Sequence, residues 1–127
     1  MLPQRLPDAE FEIMEYMWDA TPPVTTSQAM ESVGRAHGWK IQTLATLFKR
    51  LTERGFLRAE RGTGRERAFY PAISRAEYLR METERFVGRY HKHSYASLIS
   101  TLHSERLTAE DLDELSRWLR EEKERGD

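Results

Sequence analysis

The first 72 residues place their hydrophobic positions in three helical stripes, followed by two short runs typical of strands. The first stripe predicts a helix that Asp8 caps and that Thr21-Pro22-Pro23 ends. Its apolar positions are Phe11, Met14 and Trp18, with Ile13 and Met17 beside them. Thr25-Thr26-Ser27-Gln28 then forms a capping box, in which a hydroxyl and an amide satisfy each other's free backbone donors. A second, short helix is therefore predicted to run to about Val33, after which Gly34 and Gly38 permit a turn.

The third stripe predicts a helix from about Lys40 to Arg54 with one apolar face and one polar, cationic face. The positions predicted to be buried are Ile41, Leu44, Phe48 and Leu51. Gly55 suits the left-handed position that ends a helix. Two β-rich runs, Phe56 to Arg61 and Arg67 to Tyr70, flank Gly62-Thr63-Gly64-Arg65-Glu66, and this order predicts a hairpin. Three helices and a hairpin make a winged helix-turn-helix of roughly 70 residues, near the size at which single domains become independently stable.

Beyond Pro71 the pattern is helical only. A second capping box, Ser74-Arg75-Ala76-Glu77, opens one helix, and Thr108-Ala109-Glu110-Asp111 opens the last one. The apolar positions predicted for dimerisation are Leu79, Phe86, Tyr90, Leu98, Ile99, Leu102, Leu112, Leu115, Trp118 and Leu119. Because a segment of about 55 residues in thin amphipathic helices seldom builds a sufficient core, a two-fold partner with the same helices is the simplest complement. We therefore expect a homodimer, with folding of this region back onto the winged domain as the alternative.

Composition limits the chain to one ordinary domain, or to a small domain with an accessory segment that needs a partner. Its 127 residues exclude a large multi-domain enzyme, and 32% charged with 39% hydrophobic residues favours a folded protein over a disordered one. The absence of cysteine excludes disulfides and thiolate metal sites and agrees with a reducing cytoplasm. No run of signal-peptide or membrane-spanning length occurs, so a cytoplasmic protein with no membrane partner is expected.

The charge is unevenly distributed along the chain, although the net charge is only −1. Residues 1–34 contain one basic and six acidic side chains, and residues 73–127 contain ten basic and twelve acidic ones. Residues 35–72, by contrast, contain nine basic and three acidic side chains. The positive charge is therefore concentrated on the third helix and the wing, as expected of a phosphate-binding face, with a merely solvated face as the alternative.

A helix of this kind fits the DNA major groove, where threonine, glutamine and arginine side chains read base edges or hold phosphates. The candidates for base edges are Gln42, Thr43 and Thr46, and those for phosphates are Lys40, Lys49 and Arg50. Three arginines border the wing turn, from which guanidinium groups can reach a phosphate or a narrow minor groove. They are Arg61, Arg65 and Arg67. The sequence thus predicts a mainly α fold with a small β-hairpin, in which residues 1–72 are a winged helix-turn-helix DNA-binding domain and residues 73–127 a helical dimerisation domain.

Catalysis finds no support in the sequence. His91 and His93 are two residues apart, which on a helix directs them to different faces and disfavours a shared metal. No Ser-His-Asp order, phosphate loop or dinucleotide-binding glycine motif is present. We therefore expect a protein that is not an enzyme and that has no catalytic residues, cofactor or metal.

Three segments, LPDAEFEIMEYMW, TLFKRLTERGFL and RAFYP, resemble the BlaI/MecI penicillinase-repressor family. The combination of Glu10, Met14 and Trp18 with an RLxxRG motif at Arg50 to Gly55 is more specific than the winged helix alone. The resemblance implies a dimeric bacterial transcriptional repressor that binds palindromic double-stranded operator DNA and controls antibiotic-resistance or stress genes. It also implies that three residues lie near DNA: Thr43, Thr46 and Arg50.

The chain departs from this family in two respects. Family repressors of β-lactam resistance are inactivated by proteolysis at an Asn-Phe bond, and that position matches Ser100-Thr101 here. The resemblance therefore implies either an inactivating protease or sensor of different specificity, or release by another route. Copper-responsive relatives carry C-terminal cysteines, and this chain has none, so copper sensing is disfavoured.

Two other functions are compatible with a winged helix. A MarR-like regulator controlled by a small ligand would need an apolar pocket, for which Trp39, Phe86 and Tyr90 are the candidates, although these aromatic residues suit a core equally well. A winged helix can also act as a protein-interaction module, because a fold does not fix a function.

Overall fold

The computed structural model describes residues 5–61, 66–102 and 106–126. The chain forms two compact units, one ending at Glu82 and one beginning at Thr83. The wing turn at residues 62–65, including the DNA-contact candidate Arg65, lies outside the described residues. Among the described residues, no helix combines the length and the apolar character needed to cross a bilayer.

The first unit begins with helices α1 and α2, and α2 continues through a π-helical turn into α3. Helix α4 and the hairpin strands β1 and β2 follow, and helix α5 belongs to both units. The bounds are Asp8–Asp19 for α1, Thr26–Ala29 for α2, Met30–Gly34 for the π-helical turn, Arg35–His37 for α3, Ile41–Glu53 for α4, Leu57–Arg61 for β1, Arg67–Pro71 for β2, Arg75–Tyr90 for α5, Tyr95–Thr101 for α6 and Ala109–Gly126 for α7. The structure is therefore mainly α with a small β-hairpin, which confirms the predicted fold class.

The start of α1 differs from the prediction. Asp8 is the first helical residue, Pro7 occupies the N-cap position, and no side chain caps the helix. Proline presets the backbone for a helix start, and an acid in the first turn interacts favourably with the helix dipole. Asp8 therefore lies within the helix and is not its cap.

The second helix is longer than predicted, because Gly34 does not end it. Gly34 is buried in the π-helical turn, and the helix continues to His37 before Gly38 adopts a φ of 67°. A Cβ at Gly34 would lie 2.7 Å from Sδ of Met30 and 3.5 Å from Cδ1 of Leu44. The missing side chain of Gly34 thus allows close packing beneath α4, and of the two glycines predicted to permit the turn only Gly38 does so.

The core of the first unit lies beneath α4. Its buried residues include Ile13, Met14 and Met17 of α1, Leu44, Leu47, Phe48 and Leu51 of α4, Phe56 just before β1, and Phe69 of β2. Ile41 was predicted to be buried, but 45% of it is exposed. It occupies the first turn of α4, where the apolar face of the helix extends beyond the core. Leu47, which was not predicted to be buried, lies in the core together with Leu44, Phe48 and Leu51.

Hydrogen bonds confirm the predicted capping boxes. Thr25 N–H donates to Oε1 of Gln28 at 2.9 Å, and Gln28 N–H donates to Oγ1 of Thr25 at 3.2 Å. Ser74 and Glu77 exchange the same pair of bonds, both at 3.1 Å. Hydrogen bonding to the backbone of Ser74 lowers the pKa of the Glu77 carboxyl group, and hydrogen bonding to the Ser74 side chain lowers it further. Helices α2 and α5 therefore begin close to where the sequence places them.

The hairpin is antiparallel, with Leu57 opposite Pro71 and Arg61 opposite Arg67. Val24, before α2, forms a further bridge to Phe69, and the two backbone hydrogen bonds between them measure 3.0 and 2.9 Å. The wing is thus attached to the helical part of the first unit through backbone hydrogen bonds.

Gly55 ends α4 with a φ of 85°, as the sequence predicted. Gly55 N–H donates to the carbonyl of Thr52, and Phe56 N–H donates to that of Leu51, which satisfies two terminal carbonyls. We predict that Gly55→Ala lowers the free energy of unfolding by about 1 kcal/mol, because a Cβ is strained at this φ. Urea denaturation measures the change.

Gly126→Ala is the matched control, since a Cβ at Gly126, near the C-terminal end of α7, would meet no atom within 4 Å. Its unfolding free energy should change by less than about 0.5 kcal/mol. Equal effects of the two substitutions would contradict the role of φ at Gly55.

The second unit contains the end of α5 and helices α6 and α7. Val87 is 1% exposed. Ser94 caps α6 by accepting from Ser97 N–H, and Thr108 and Asp111 exchange two hydrogen bonds of 3.0 Å at the start of α7. Three large hydrophobic side chains of α7 are about half exposed: Leu112, Trp118 and Leu119. The single chain therefore leaves much of this apolar stripe in contact with solvent.

Candidate nucleic-acid interface

Helix α4 is held to the core by one face and presents the other to solvent. Its inward positions are fully or nearly fully buried, as the 3.6-residue repeat of Leu44, Phe48 and Leu51 requires. The exposed side chains on the other side are Gln42, Thr43, Thr46, Lys49 and Arg50. A single exposed helix with this composition has the width and the donors needed to read a major groove.

The two threonines on this face differ in their hydrogen bonding. Thr46 Oγ1 donates to the carbonyl oxygen of Gln42 at 2.9 Å. Its hydroxyl proton is therefore used inside the helix, which leaves a methyl group and an accepting oxygen for an outside partner. Thr43 is exposed one turn earlier. Of the two, Thr43 is the better candidate to donate a hydrogen bond to a base.

The cations at this surface have no carboxylate partners among the described residues. In the described part of the chain, no ion pair within 4.0 Å involves any of the predicted cations Lys40, Lys49, Arg50, Arg61 and Arg67. Arginines elsewhere do have partners, such as Arg58 with Glu60 at 3.2 Å and Arg75 with Asp19 at 2.8 Å. The positive charges of the predicted interface therefore remain available to anions.

Arg61 and Arg67 form the last cross-strand pair before the wing turn, and both are exposed. Like charges placed directly opposite each other in an antiparallel pair are destabilising. An anion placed between the two guanidinium groups would relieve this repulsion. The end of the hairpin at Arg61 and Arg67 is therefore suited to hold a phosphate.

An ion pair between a buried carboxylate and a partly exposed guanidinium group fixes α4 to α1. Arg54 Nη1 lies 2.6 Å from Oε2 of Glu10, whose side chain is 2% exposed. Since Glu10 is on α1 and Arg54 follows the last residue of α4, the pair fixes the C-terminal end of α4 against α1. The sequence patterns assigned no structural role to either residue, because nothing local relates positions 44 residues apart.

Two contacts attach the wing to the helices, one from α4 and one from α2. The rings of Phe48 and Phe69 meet edge to face with centroids 4.8 Å apart. Ser27 Oγ donates to Oε1 of Glu66, which joins the start of the second helix to the base of the wing turn. No pattern in the sequence predicts the latter bond.

The remaining candidates for chemistry have structural partners. The His37 ring stacks on Trp39 at 4.5 Å, and His91 Nδ1 lies 2.9 Å from Oγ of Ser97. The described residues include no cluster of three or more histidine, cysteine or acidic side chains that could hold a metal. Trp39, considered above as a pocket residue, packs against the core of the first unit.

The chain is similar to known repressors along most of its length. The family model described as penicillinase repressor matches residues 6–121. A penicillinase repressor of Bacillus licheniformis is 26% identical over 125 residues, which cover 98% of this chain and 95% of that protein. The solution structure of the DNA binding domain of the repressor BlaI is 27% identical, with a TM-score of 0.54, and the match covers 61% of this chain and 92% of that chain.

Proposed function

Because the chain belongs to the penicillinase repressor family, whose members are DNA-binding transcriptional repressors and not enzymes, we propose that it acts as a cytoplasmic homodimer on palindromic operator DNA. The family match confirms the resemblance seen in the sequence. The observation that most supports our assignment of the interface is the set of exposed cations on α4 and the hairpin that have no ion-pair partner in the described residues.

In this proposal α4 enters the major groove. Gln42, Thr43 and Thr46 face base edges, and Lys40, Lys49 and Arg50 hold phosphates beside them. Arg61 and Arg67 hold a further phosphate at the end of the hairpin, and Arg65, outside the described residues, is assigned to phosphate binding from the sequence alone. Residues 1–72 thus act as the DNA-binding domain.

The C-terminal helices, residues 73–127, are proposed to form the dimer. Eight of the ten predicted interface side chains are at least 40% exposed in the single chain: Leu79, Phe86, Tyr90, Ile99, Leu102, Leu112, Trp118 and Leu119. A groove of about 520 Å³ between α6 and α7 is lined by apolar side chains that include Leu115 and Trp118. A second copy of the chain presents the same apolar stripe, so the stripes of the two chains can cover each other.

A two-fold dimer places two copies of α4 on one side of the duplex. Its half-sites should therefore lie about 10 bp apart or at a multiple of that spacing. Selection of bound fragments from genomic DNA with the purified protein tests this directly. We expect an enriched palindrome, and enrichment of no palindrome would overturn the proposal.

Release from the operator is proposed to depend on an inactivating protease or sensor. Ser100 and Thr101 lie at the C-terminal end of α6 and are exposed, and both hydroxyl groups donate to the carbonyl of Ser97. A protease that acts here must accept a Ser-Thr bond.

The wing contact predicts a specific salt dependence. Arg67→Ala should weaken binding to all duplexes similarly and reduce the slope of log K against log salt by about 0.9, because one phosphate contact is lost. Filter binding or fluorescence anisotropy between low and moderate salt measures the slope.

Two matched variants separate this effect from others. Arg58→Ala removes an arginine of the same hairpin that is already paired with Glu60, so its slope should equal that of the wild type. Thr43→Ala should leave the slope unchanged and alter the preferred base at one position of each half-site. A slope for Arg67→Ala equal to that of Arg58→Ala would remove Arg67 from the interface.

A further inference from the structure

A groove of about 570 Å³ separates α4 from strand β2. Its floor consists of the exposed Ala45 and of Phe48 and Phe69, which are 1% and 6% exposed. Ala45 is exposed and carries only a methyl group, so it leaves this space open. Concave sites of this volume with a largely apolar lining are typical of small-molecule sites.

The rim of the groove carries four charges. Lys49 and Arg67 provide two cations, and Glu53 and Glu66 provide two carboxylates. Glu66 accepts a hydrogen bond from Ser27, whereas neither cation has an ion-pair partner among the described residues. The rim is therefore suited to one anionic group, and its two carboxylates disfavour a polyanion.

We propose that this groove binds a small aromatic monocarboxylate and that the bound ligand displaces DNA. The ring system lies against Ala45 and the accessible edge of Phe69, in the edge-on contact that aromatic rings prefer. The carboxylate accepts hydrogen bonds from Lys49 and Arg67. Such charge-assisted bonds are about twice as strong as neutral ones.

The effect on DNA rests on the proposed function. Lys49 and Arg67 are two of the cations assigned there to phosphates, and one cation cannot satisfy a ligand carboxylate and a phosphate fully at the same time. Ligand and DNA therefore lower each other's affinity by the same factor. The groove gives the repressor a route of release that requires no cleavage of the chain.

The first arm of the test contains no DNA. Amide NMR of the full chain is followed during titration with 2-naphthoate, and saturable shifts are expected in residues 45–53 of α4 and in β2. Ala45→Leu fills the groove and should weaken binding at least about tenfold, whereas Ala76→Leu, at another exposed helical alanine, should bind as the wild type does. Absence of saturable shifts, or equal binding by the Ala45→Leu variant, would overturn the site.

The charge requirement is tested with a neutral probe of the same shape. 2-Naphthalenemethanol should bind the wild type about tenfold more weakly than 2-naphthoate. Arg67→Gln should reduce this difference and leave binding of the neutral probe unchanged. Equal affinity of the wild type for both probes would contradict the role of the cations.

The second arm adds a duplex enriched by the selection described above. 2-Naphthoate should lower the affinity of the wild type and of Ala76→Leu for this duplex, and Ala45→Leu should be insensitive. Binding of 2-naphthoate without any DNA binding would overturn the proposed function and support the site. Simultaneous binding of both without competition would overturn the displacement of DNA.

Discussion

Arg54→Ala is expected to lower the free energy of unfolding by about 3 kcal/mol, because it leaves the carboxylate of Glu10 without its cation. Glu10 is 1% exposed and lies on α1 beneath α4. An ionised carboxylate in such a place loses its hydration without an ion pair or hydrogen bond to replace it. Urea denaturation followed by circular dichroism measures the loss, and an unchanged m-value shows that the unfolded state is not altered.

Two variants test the cause of this loss. Arg58→Ala breaks an exposed ion pair with Glu60, so it should cost less than about 1 kcal/mol. Adding Glu10→Gln to Arg54→Ala removes the uncompensated charge and should recover part of the stability. If Arg54→Ala were as mild as Arg58→Ala, the pair would not be needed to hold α4 to α1.

Trp118→Asp should convert the proposed dimer into a monomer. The indole ring is 55% exposed in the single chain and lies in the apolar stripe of α7, where a second copy would cover it. A carboxylate in that interface would be buried without a partner. Analytical ultracentrifugation should show the mass of one chain. Affinity for the palindrome should fall by about 100-fold or more, because two linked half-site contacts become independent.

The control for this change is Arg117→Asp. Helical geometry places Arg117 opposite the middle of the stripe formed by Leu112, Leu115, Trp118 and Leu119, and the substitution alters the charge by more than Trp118→Asp does. The Arg117→Asp variant should remain dimeric. Dissociation of both variants, or of neither, would contradict the assignment of this stripe to the dimer interface.

Elements with local chemical signals were predictable from the sequence. The capping boxes at Thr25 and Ser74 and the glycine after α4 depend on hydrogen bonds within four or five residues, and all three occur where they were predicted. The polar face of α4 was likewise predictable, because its exposure follows from helical periodicity alone. These local rules therefore predicted the helix and the hairpin on which the proposed site lies.

Features decided by tertiary packing were not predictable. Gly34 resembles a turn signal in the sequence, but its missing Cβ accommodates Met30 and Leu44 inside a continuing helix. Ile41 follows the apolar spacing and is still 45% exposed, because the core ends before the first turn of α4. The neighbouring sequence does not show whether an arginine has a carboxylate partner in the folded protein. Only the fold separates Arg54, paired with Glu10, from the unpaired Arg50.

The opposed pair Arg61 and Arg67 has a consequence for the motion of the hairpin. In the free protein, repulsion between the two guanidinium groups favours fraying of the strand ends nearest the turn. A phosphate seated between them would remove that repulsion. The backbone amides of β1 and β2 should then exchange with deuterated solvent more slowly on the operator than off it, so the wing becomes stiffer when it holds DNA.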